Sequence, residues 1–489
     1  MSEASAHADV TASGVCDALW SLLGLGTHDR AGRVTVTGAD PVVPSIHRVG
    51  AATAGALAAA GAAVAAIWKA RSGEEQDICI DVQRAVVPGL QTIAHVYQNG
   101  HRIPAHARGT DYPGFFRTAD GRVMFLLRSF IYPEILLRLL NVLDCGYEAK
   151  SFARAVARWS SQELEEALAQ RKAVGVIART RHEWRDHPQG RWLAARPAVH
   201  VERIGESTPE PFTPASRPLA GVRVLDFTHV LAGPTTARLL AEQGADVLHV
   251  CAPWRQDPHA MQLDTGWGKR SALIDLEQPG EADRLRALLA TADLFVQSWR
   301  PGALERAGFG PHELARLRPG IIYVSVSCYG SGGPWRERGG FEPIGQTACG
   351  LAIDEGSATE PRLAPTGTVN DYLTAYLAVA GALAALIRRA REGGSYHVEV
   401  SLTRTSMFLQ ELGTLTGAEL LRMPTALPAP DPAWFIAASS QYGALRVPGP
   451  LVTYAKTPPY WDRPPAAPGQ HGLAWSSGAP SSGPVSGIG

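Results

Sequence analysis

The chain has 489 residues and carries 46 Lys and Arg against 46 Asp and Glu, so its formal net charge is zero. That length allows two or three domains around a large buried core, and the charge balance argues against a general nucleic-acid binder, which needs a basic surface to neutralise phosphates. The six cysteines (Cys16, Cys79, Cys145, Cys251, Cys328 and Cys349) are scattered, with no CxxC pair and no histidines at zinc spacing, so they read as reduced thiols of a cytoplasmic protein and predict no metal site.

The N-terminus, MSEASAHADV, has neither a basic region nor an apolar core, which predicts no signal peptide. The uncharged run 49–68 is long enough to cross a bilayer. It is almost wholly Ala and Gly, however, so a buried helix is expected rather than a membrane span. Residues 61–73, GAAVAAIWKARSG, return at 381–393 as GALAALIRRAREG, at an offset of 320. Each copy reads as an Ala-rich helix with a basic last turn and a Gly stop, followed by a strand, DICIDV at 77–82 and HVEVSL at 397–402. The basic last turns suit the helix dipole, and Gly61 and Gly381 allow close helix packing despite their propensity cost.

Between the copies, 113–125 (PGFFRTADGRVMF) predicts a hairpin around Asp120-Gly121, and helical segments follow to about 195. The Pro/Ser/Thr-rich stretch 206–218 is a linker. Beyond it VRVLDF, DVLHV, SALIDL, LFVQSW and IIYVSVSCYG read as strands, interleaved with helices such as TTARLLAEQGA and DRLRALLATA. That alternation predicts a parallel sheet flanked by helices, a Rossmann-like α/β arrangement. From about 462 the Pro, Gly and Ser content predicts a disordered tail.

The first of these strands runs into a Gly-Pro turn, DFTHVLAGPTTARLL. Ligands of open parallel sheets gather at the carboxyl ends of strands, so residues 229–234 lie where a ligand would bind. There is no GxGxxG, which argues against a dinucleotide dehydrogenase. Arg255, Lys269, Arg270, Arg300 and Arg306 are expected in strand-adjacent loops on the same edge of one sheet. Singly they read as solvated charge, and together they suggest recognition of a phosphate-rich ligand. Asp371 opens the second Ala-rich helix. Such a carboxylate is commonly an N-cap, yet the same place would keep a nucleophile fixed and ionised. The equivalent position of the first copy is Ala51, so a cap there is not needed to build the helix, which favours the functional reading of Asp371.

PLAGVRVLDFTHVLAGPTTARLLAEQGADVLHV, GKRSALIDL, SWRPGALERAGFG, VSCYGSGGP and NDYLTAYLAVAGALAALIRRAREGG, in that order, resemble the class III CoA-transferases, the group with formyl-CoA transferase, carnitine CoA-transferase and α-methylacyl-CoA racemase. The match is close over 217–410. Residues 113–212 are similar to the family's small domain, and YGALRVPGPLVTYAKTPPYWDRP to its closing segment. The resemblance implies an N-terminal segment (1–112) holding a degenerate half-repeat and a smaller α+β domain (113–212). A Rossmann-like CoA-binding catalytic domain (217–415) and a C-terminal segment (416–489) follow. It implies Asp371 as the catalytic carboxylate, forming an aspartyl anhydride and then an aspartyl-CoA thioester, with Glu342 as an acidic residue near it. CoA contacts carry over to Val230, Ala232, Lys269, Ala303 and Arg306, with His229 beside the same loop and Arg270 next to Lys269. Acyl-CoA and carboxylic acid substrates, no metal, no membrane or nucleic-acid partner, and a homodimer are the corresponding expectations.

Three departures qualify this. Phe341-Glu342 stands where the racemase branch has a His-Asp pair, which removes one partner from two-base α-proton exchange. Leu231 and Ser298 stand where formyl-CoA transferase has polar residues, so oxalate as acceptor is unsupported. The order of parts resembles a fused and trimmed pair of family subunits. The alternatives at this point are an acyl-CoA racemase or isomerase using Asp371 with Glu342, or a non-catalytic CoA-binding subunit.

Overall fold

The computed structural model describes residues 10–104, 114–128, 132–476 and Gly483. Its centre is a seven-stranded sheet in the spatial order Lys269–Leu273, Asp246–Cys251, Arg223–Phe227, Leu294–Gln297, Ile322–Ser327, Ser395–Ser401 and His200–Gly205. The first six strands are parallel; His200–Gly205 runs antiparallel to Ser395–Ser401 and closes one edge. Helices cover both faces, so the middle strands are apolar along their whole length rather than alternating: in Leu294–Gln297 every residue is buried. The strand order reverses at Arg223–Phe227, whose neighbours in space are the next strand and the fourth. A crevice therefore opens beyond the carboxyl end of that strand.

Two helices of 24 residues, Val49–Ser72 and Val369–Glu392, pack against each other. Both bounds of the second lie 320 positions after those of the first, and each helix stops on a glycine with positive φ, Gly73 at 78° in the left-handed helical conformation and Gly393 at 69°. The strand after each ends at an equivalent place, Asp81 and Ser401, and each is followed at once by a helix, from Val82 and Leu402. The glycines within the two helices do equivalent work. A Cβ on Gly61 would lie 2.9 Å from Ile78, and one on Gly381 would lie 2.7 Å from Val398. Both glycines let a helix lie close on the strand that follows it. Each helix is long and apolar enough to span a membrane by length and composition, and each is buried within the protein.

A smaller unit lies before the linker. The strands Phe115–Arg117, Val123–Leu126 and Gly175–Ile177 form an antiparallel sheet. Helices Pro133–Leu143, Ala149–Val156 and Ser161–Gln170 pack on it around their own core of Phe116, Leu139, Phe152 and Leu164. The predicted turn at Asp120-Gly121 is present, with Gly121 at φ 79° and Asp120 accepting from the backbone and hydroxyl of Ser161; Pro113 lies outside the described residues.

The stretch from 462 corrects an expectation. Up to 476 it is laid along the sheet edge, with the His471 N–H donating to the Ser271 carbonyl and Trp475 Nε1 donating to Thr291 Oγ1 at 2.9 Å. Trp475 and the backbone hydrogen bonds outweigh its Pro/Gly content; 477–482 and 484–489 lie outside the described residues.

Candidate active site

The site begins at the turn after Arg223–Phe227. The His229 N–H donates to Ser298 Oγ (2.8 Å) on the loop after the neighbouring strand, and the Val230 N–H to Asp257 Oδ2 (2.9 Å). Val230 sits at φ 69°, a conformation that a β-branched residue adopts only under strain. The helix Ala232–Ala241 then starts with no side chain capping its first N–H groups. Gly233 is required there, because a Cβ would fall 2.6 Å from Thr228.

Val230, Ala232 and Gly233 face a cavity of about 320 Å³. Arg255, Ser298 and Arg300 enter it from neighbouring loops, and Ala303 and Arg306 from the short helix Ala303–Arg306. The helix Pro133–Leu143 of the smaller unit adds Ile135 and Arg138, with Tyr132 just before it, and Asp371 lines the same cavity with Phe341 and Leu402. Arg255 is held over the rings of Tyr132 (4.2 Å) and Trp299 (5.4 Å), and Arg336 and Arg338 pair with Glu337 and Glu166. Arg138, Arg300 and Arg306 have no acidic partner among the described residues. Burial, together with the charges of Arg138 and Arg255, pulls the Arg300 guanidinium below its ordinary value. A wall bearing unneutralised guanidiniums beside free helix N–H groups attracts phosphate-type anions.

Asp371 is in the first turn of Val369–Glu392 and 6% exposed, and its carboxylate makes no hydrogen bond with the described residues. The expectation that the helix N-terminus keeps it ionised needs correction. Burial dominates and pushes it up to about 7. Nor is it the cap of its helix, since Glu342 takes that role. Glu342 Oε1 accepts from the Asn370 N–H (3.0 Å) and from Gln346 Nε2 (2.5 Å), while Oε2 is buried without a partner. Burial and the Asp371 charge push Glu342 up to about 8. Glu342 thus lies behind the cavity wall and anchors the helix that carries Asp371.

The first long helix is capped in the same manner. Asp40 accepts from the N–H groups of Gly50 (2.7 Å) and Ala51 (2.8 Å). A carboxylate at position 51 is indeed not needed to build the helix, but the reason is a cap supplied from elsewhere in the chain. The capping carboxylate comes from ten residues upstream, where local sequence gives no sign of it.

Of the expected CoA contacts, His229, Val230, Ala232, Ala303 and Arg306 come together with Asp371, and Lys269 and Arg270 do not. These two residues open their strand, whereas Arg255, Arg300 and Arg306 follow the ends of theirs. Lys269 is 3% exposed and reaches across the middle strand to donate to Asp226 Oδ2 and the Pro234 carbonyl, both at 2.7 Å. Asp226 also contacts His249 (3.1 Å) and accepts from the Thr228 hydroxyl. Burial pushes Asp226 up, but the Lys269 and His249 charges outweigh it and hold it well below the usual carboxylate range. Arg270, on the other face of the strand, donates to Asp246 and to the Ala474 carbonyl. Lys269→Met is therefore expected to cost roughly 3 kcal/mol of stability by leaving Asp226 short of its buried partner. Urea unfolding checks this, and an unchanged midpoint contradicts the assignment.

The family model described as CoA-transferase family III matches residues 24–208 and 219–471. The chain belongs to CoA-transferase family III. The break in the match falls within the Pro/Ser/Thr-rich linker. Among curated relatives of this family III chain, an acetyl-coenzyme A transferase, nodX, of Hypoxylon pulicicidum is 39% identical over 339 residues, covering 64% of this chain and 57% of its own. A succinyl-CoA–D-citramalate CoA-transferase of Chloroflexus aurantiacus is 35% identical over 207 residues, 40% of this chain and 52% of its own. The chain spans about half the length of these curated relatives. The crystal structure of Rv3272 from M. tuberculosis aligns with a TM-score of 0.37 and 29% identity, over 40% of this chain and 57% of that one.

Sequence reasoning pointed to the Gly-Pro turn and Asp371, which the structure brings to one cavity, and did not point to Tyr132, Arg138, Asp257, Arg336 or Arg338. Arg138 lies on a helix whose amphipathic pattern predicts only burial, and tertiary packing alone brings it to the cavity.

Proposed function

We propose that this chain is an acyl-CoA:carboxylate CoA-transferase with Asp371 as nucleophile, in a Rossmann-like CoA-binding half preceded by a degenerate half-repeat. The observation that carries the reading is an unpartnered, buried carboxylate facing a cavity whose wall bears three guanidiniums with no acidic partner among the described residues.

In this mechanism the ionised Asp371 oxygen attacks the thioester carbonyl carbon. The C–S bond breaks and CoA thiolate leaves an aspartyl anhydride. The thiolate then attacks the aspartyl carbonyl, releasing the donor's carboxylate and forming an aspartyl-CoA thioester. The acceptor carboxylate repeats the two exchanges in reverse, taking CoA and restoring Asp371. Covalent catalysis replaces one difficult transfer by easier ones, and burial raises the carboxylate's nucleophilicity by withholding solvation. Arg300, Arg306 and Arg138 hold the CoA phosphates while the uncapped start of Ala232–Ala241 faces the same ligand. The matching bounds and glycine contacts of the two long helices support the half-repeat, and their mutual packing gives the first copy the place of a partner subunit's helix.

The racemase alternative needs a second base across the substrate α-carbon. The cavity presents Phe341 there, and Glu342 is engaged as a helix cap. Incubation of an α-methyl acyl-CoA in D2O without a carboxylate acceptor is expected to leave the α-hydrogen unexchanged, as read by mass spectrometry. Rapid exchange contradicts the transferase reading. A screen of acyl-CoA and carboxylate pairs for new thioesters tests the transfer itself.

A further inference from the structure

Asp257 belongs to none of the roles assigned so far, yet it joins three parts of the cavity. It lies in the loop after Asp246–Cys251 with its side chain 8% exposed, and burial pushes its carboxyl above the ordinary value. One oxygen accepts from Tyr132 Oη (2.8 Å), which belongs to the smaller unit; the other accepts from the Val230 N–H (2.9 Å). His229 Nδ1 lies 4.0 Å from the first oxygen, and its ring packs edge-on to Trp299 (4.9 Å). Arg255, over the Tyr132 ring, completes the cluster.

The energetics of this arrangement are informative. A valine at φ 69° relaxes to extended backbone unless something holds it, and Val230 is only partly buried, so packing alone does not hold it there. The Asp257 carboxylate supplies a charge-assisted bond to the amide of the strained residue itself. The same carboxylate fixes Tyr132, and with it the start of the helix that brings Arg138 over the crevice. Loss of Asp257 would therefore release the turn at the start of Ala232–Ala241 and loosen the smaller unit from the sheet together.

We propose that Asp257 is the positioning residue of this site, holding the left-handed turn at Val230 and docking Tyr132 over the cavity so that both walls are set for a CoA thioester. The ligand part of this proposal rests on the CoA-transferase reading; the positioning part does not.

The test uses the full chain and two readouts. Hydrogen exchange of the peptide covering 228–236 reports the turn without any ligand, and calorimetric titration with CoA reports the site. Asp257→Ala is expected to speed exchange of the Val230 amide at least tenfold and to weaken CoA binding at least tenfold. Asp257→Asn is expected to restore both to within about threefold of the wild type, since an amide can accept from Val230 and donate to Tyr132. Val230→Gly added to Asp257→Ala is expected to recover part of the affinity, because glycine takes this φ without strain. Wild-type exchange and CoA binding in Asp257→Ala overturn the proposal, and so does a failure of Asn to rescue. If Asp257→Ala does not fold, Tyr132→Phe serves instead: it removes the docking bond and leaves the Val230 bond, so CoA binding is expected to weaken at least threefold with exchange over 228–236 unchanged, and wild-type CoA binding in that variant overturns the proposal. A wild-type chain that binds no CoA, with exchange still governed by Asp257, counts against the CoA reading alone.

Discussion

Asp371→Asn should abolish CoA transfer, with turnover falling roughly 10³-fold or more, while the fold survives. The amide keeps the shape of the side chain but cannot form the anhydride. The stability change gives an independent check. In the folded chain the Asp371 carboxyl titrates at about 7 instead of 3.8. A raised folded value means that the neutral form is favoured in the fold. Stability is then full below the unfolded value and is lost as pH rises through the folded one. Asp371→Asn should match the wild type near pH 4 and be more stable at pH 8, by at most about 4 kcal/mol. A structural cap behaves oppositely, since losing it costs about 1 kcal/mol. The same titration sets the rate profile. Transfer needs the ionised form, so turnover should climb with pH, pass half-maximum near 7 and level off above about 8 as the coupled Glu342 also ionises. Stopped assays across pH 5–9 with parallel thermal melts check both, and a variant less stable at every pH with near-normal turnover contradicts the assignment.

The second large effect concerns the cavity arginines. Arg300→Ala and Arg306→Ala should each weaken CoA binding by about 1.5–3 kcal/mol, the range for hydrogen bonds to charged groups. They share one cavity, so the double variant should not be strictly additive. The comparison that gives the prediction its force uses a pantetheine thioester, which has the reactive end of CoA without its nucleotide phosphates. Its binding should change little in either variant. Equal losses for CoA and the pantetheine compound would show that these side chains shape the cavity rather than read phosphate.

Much of the fold was legible in the sequence because burial on both faces leaves little else for a strand to do. VRVLDF, LFVQSW and IIYVSVSCYG are apolar runs at regular spacing, and the Gly-Pro turn after the first marks the end where ligands collect. The long helices were legible from Ala runs that end on glycine, and their shared offset of 320 recurs in both of their bounds, in the last residue of the strand after each and in the first residue of the helix after that. The site was legible only where function follows backbone position. Asp371 and the 229–234 turn are fixed by their place at the start of a helix and the end of a strand. Lys269 and Arg270 were misplaced because adjacent strand residues point to opposite faces and these two begin their strand. One resemblance cannot put both at the carboxyl edge. Asp40, Glu342 as a cap, Tyr132 and Asp257 act across 10 to 125 positions of chain, and nothing local encodes such pairings.

The proposed half-repeat supplies an internal control. Ala51 and Asp371 occupy equivalent places on equivalent helices, each anchored by an acidic residue from outside, Asp40 in one and Glu342 in the other. Only the second helix offers a carboxylate to a cavity. On the proposed mechanism the capping acids are structural, and the chemistry belongs to the carboxylate that faces the cavity.

The most direct test of that claim is covalent trapping. The chain is incubated with an acyl-CoA, quenched with hydroxylamine or borohydride during turnover, digested and mapped by mass spectrometry. The account predicts that Asp371 is converted to its hydroxamate or reduced to the alcohol, in proportion to active protein, with no modification of the peptide containing Ala51 and none in Asp371→Asn. Steady transfer of CoA to a carboxylate with Asp371 unmodified throughout would contradict it.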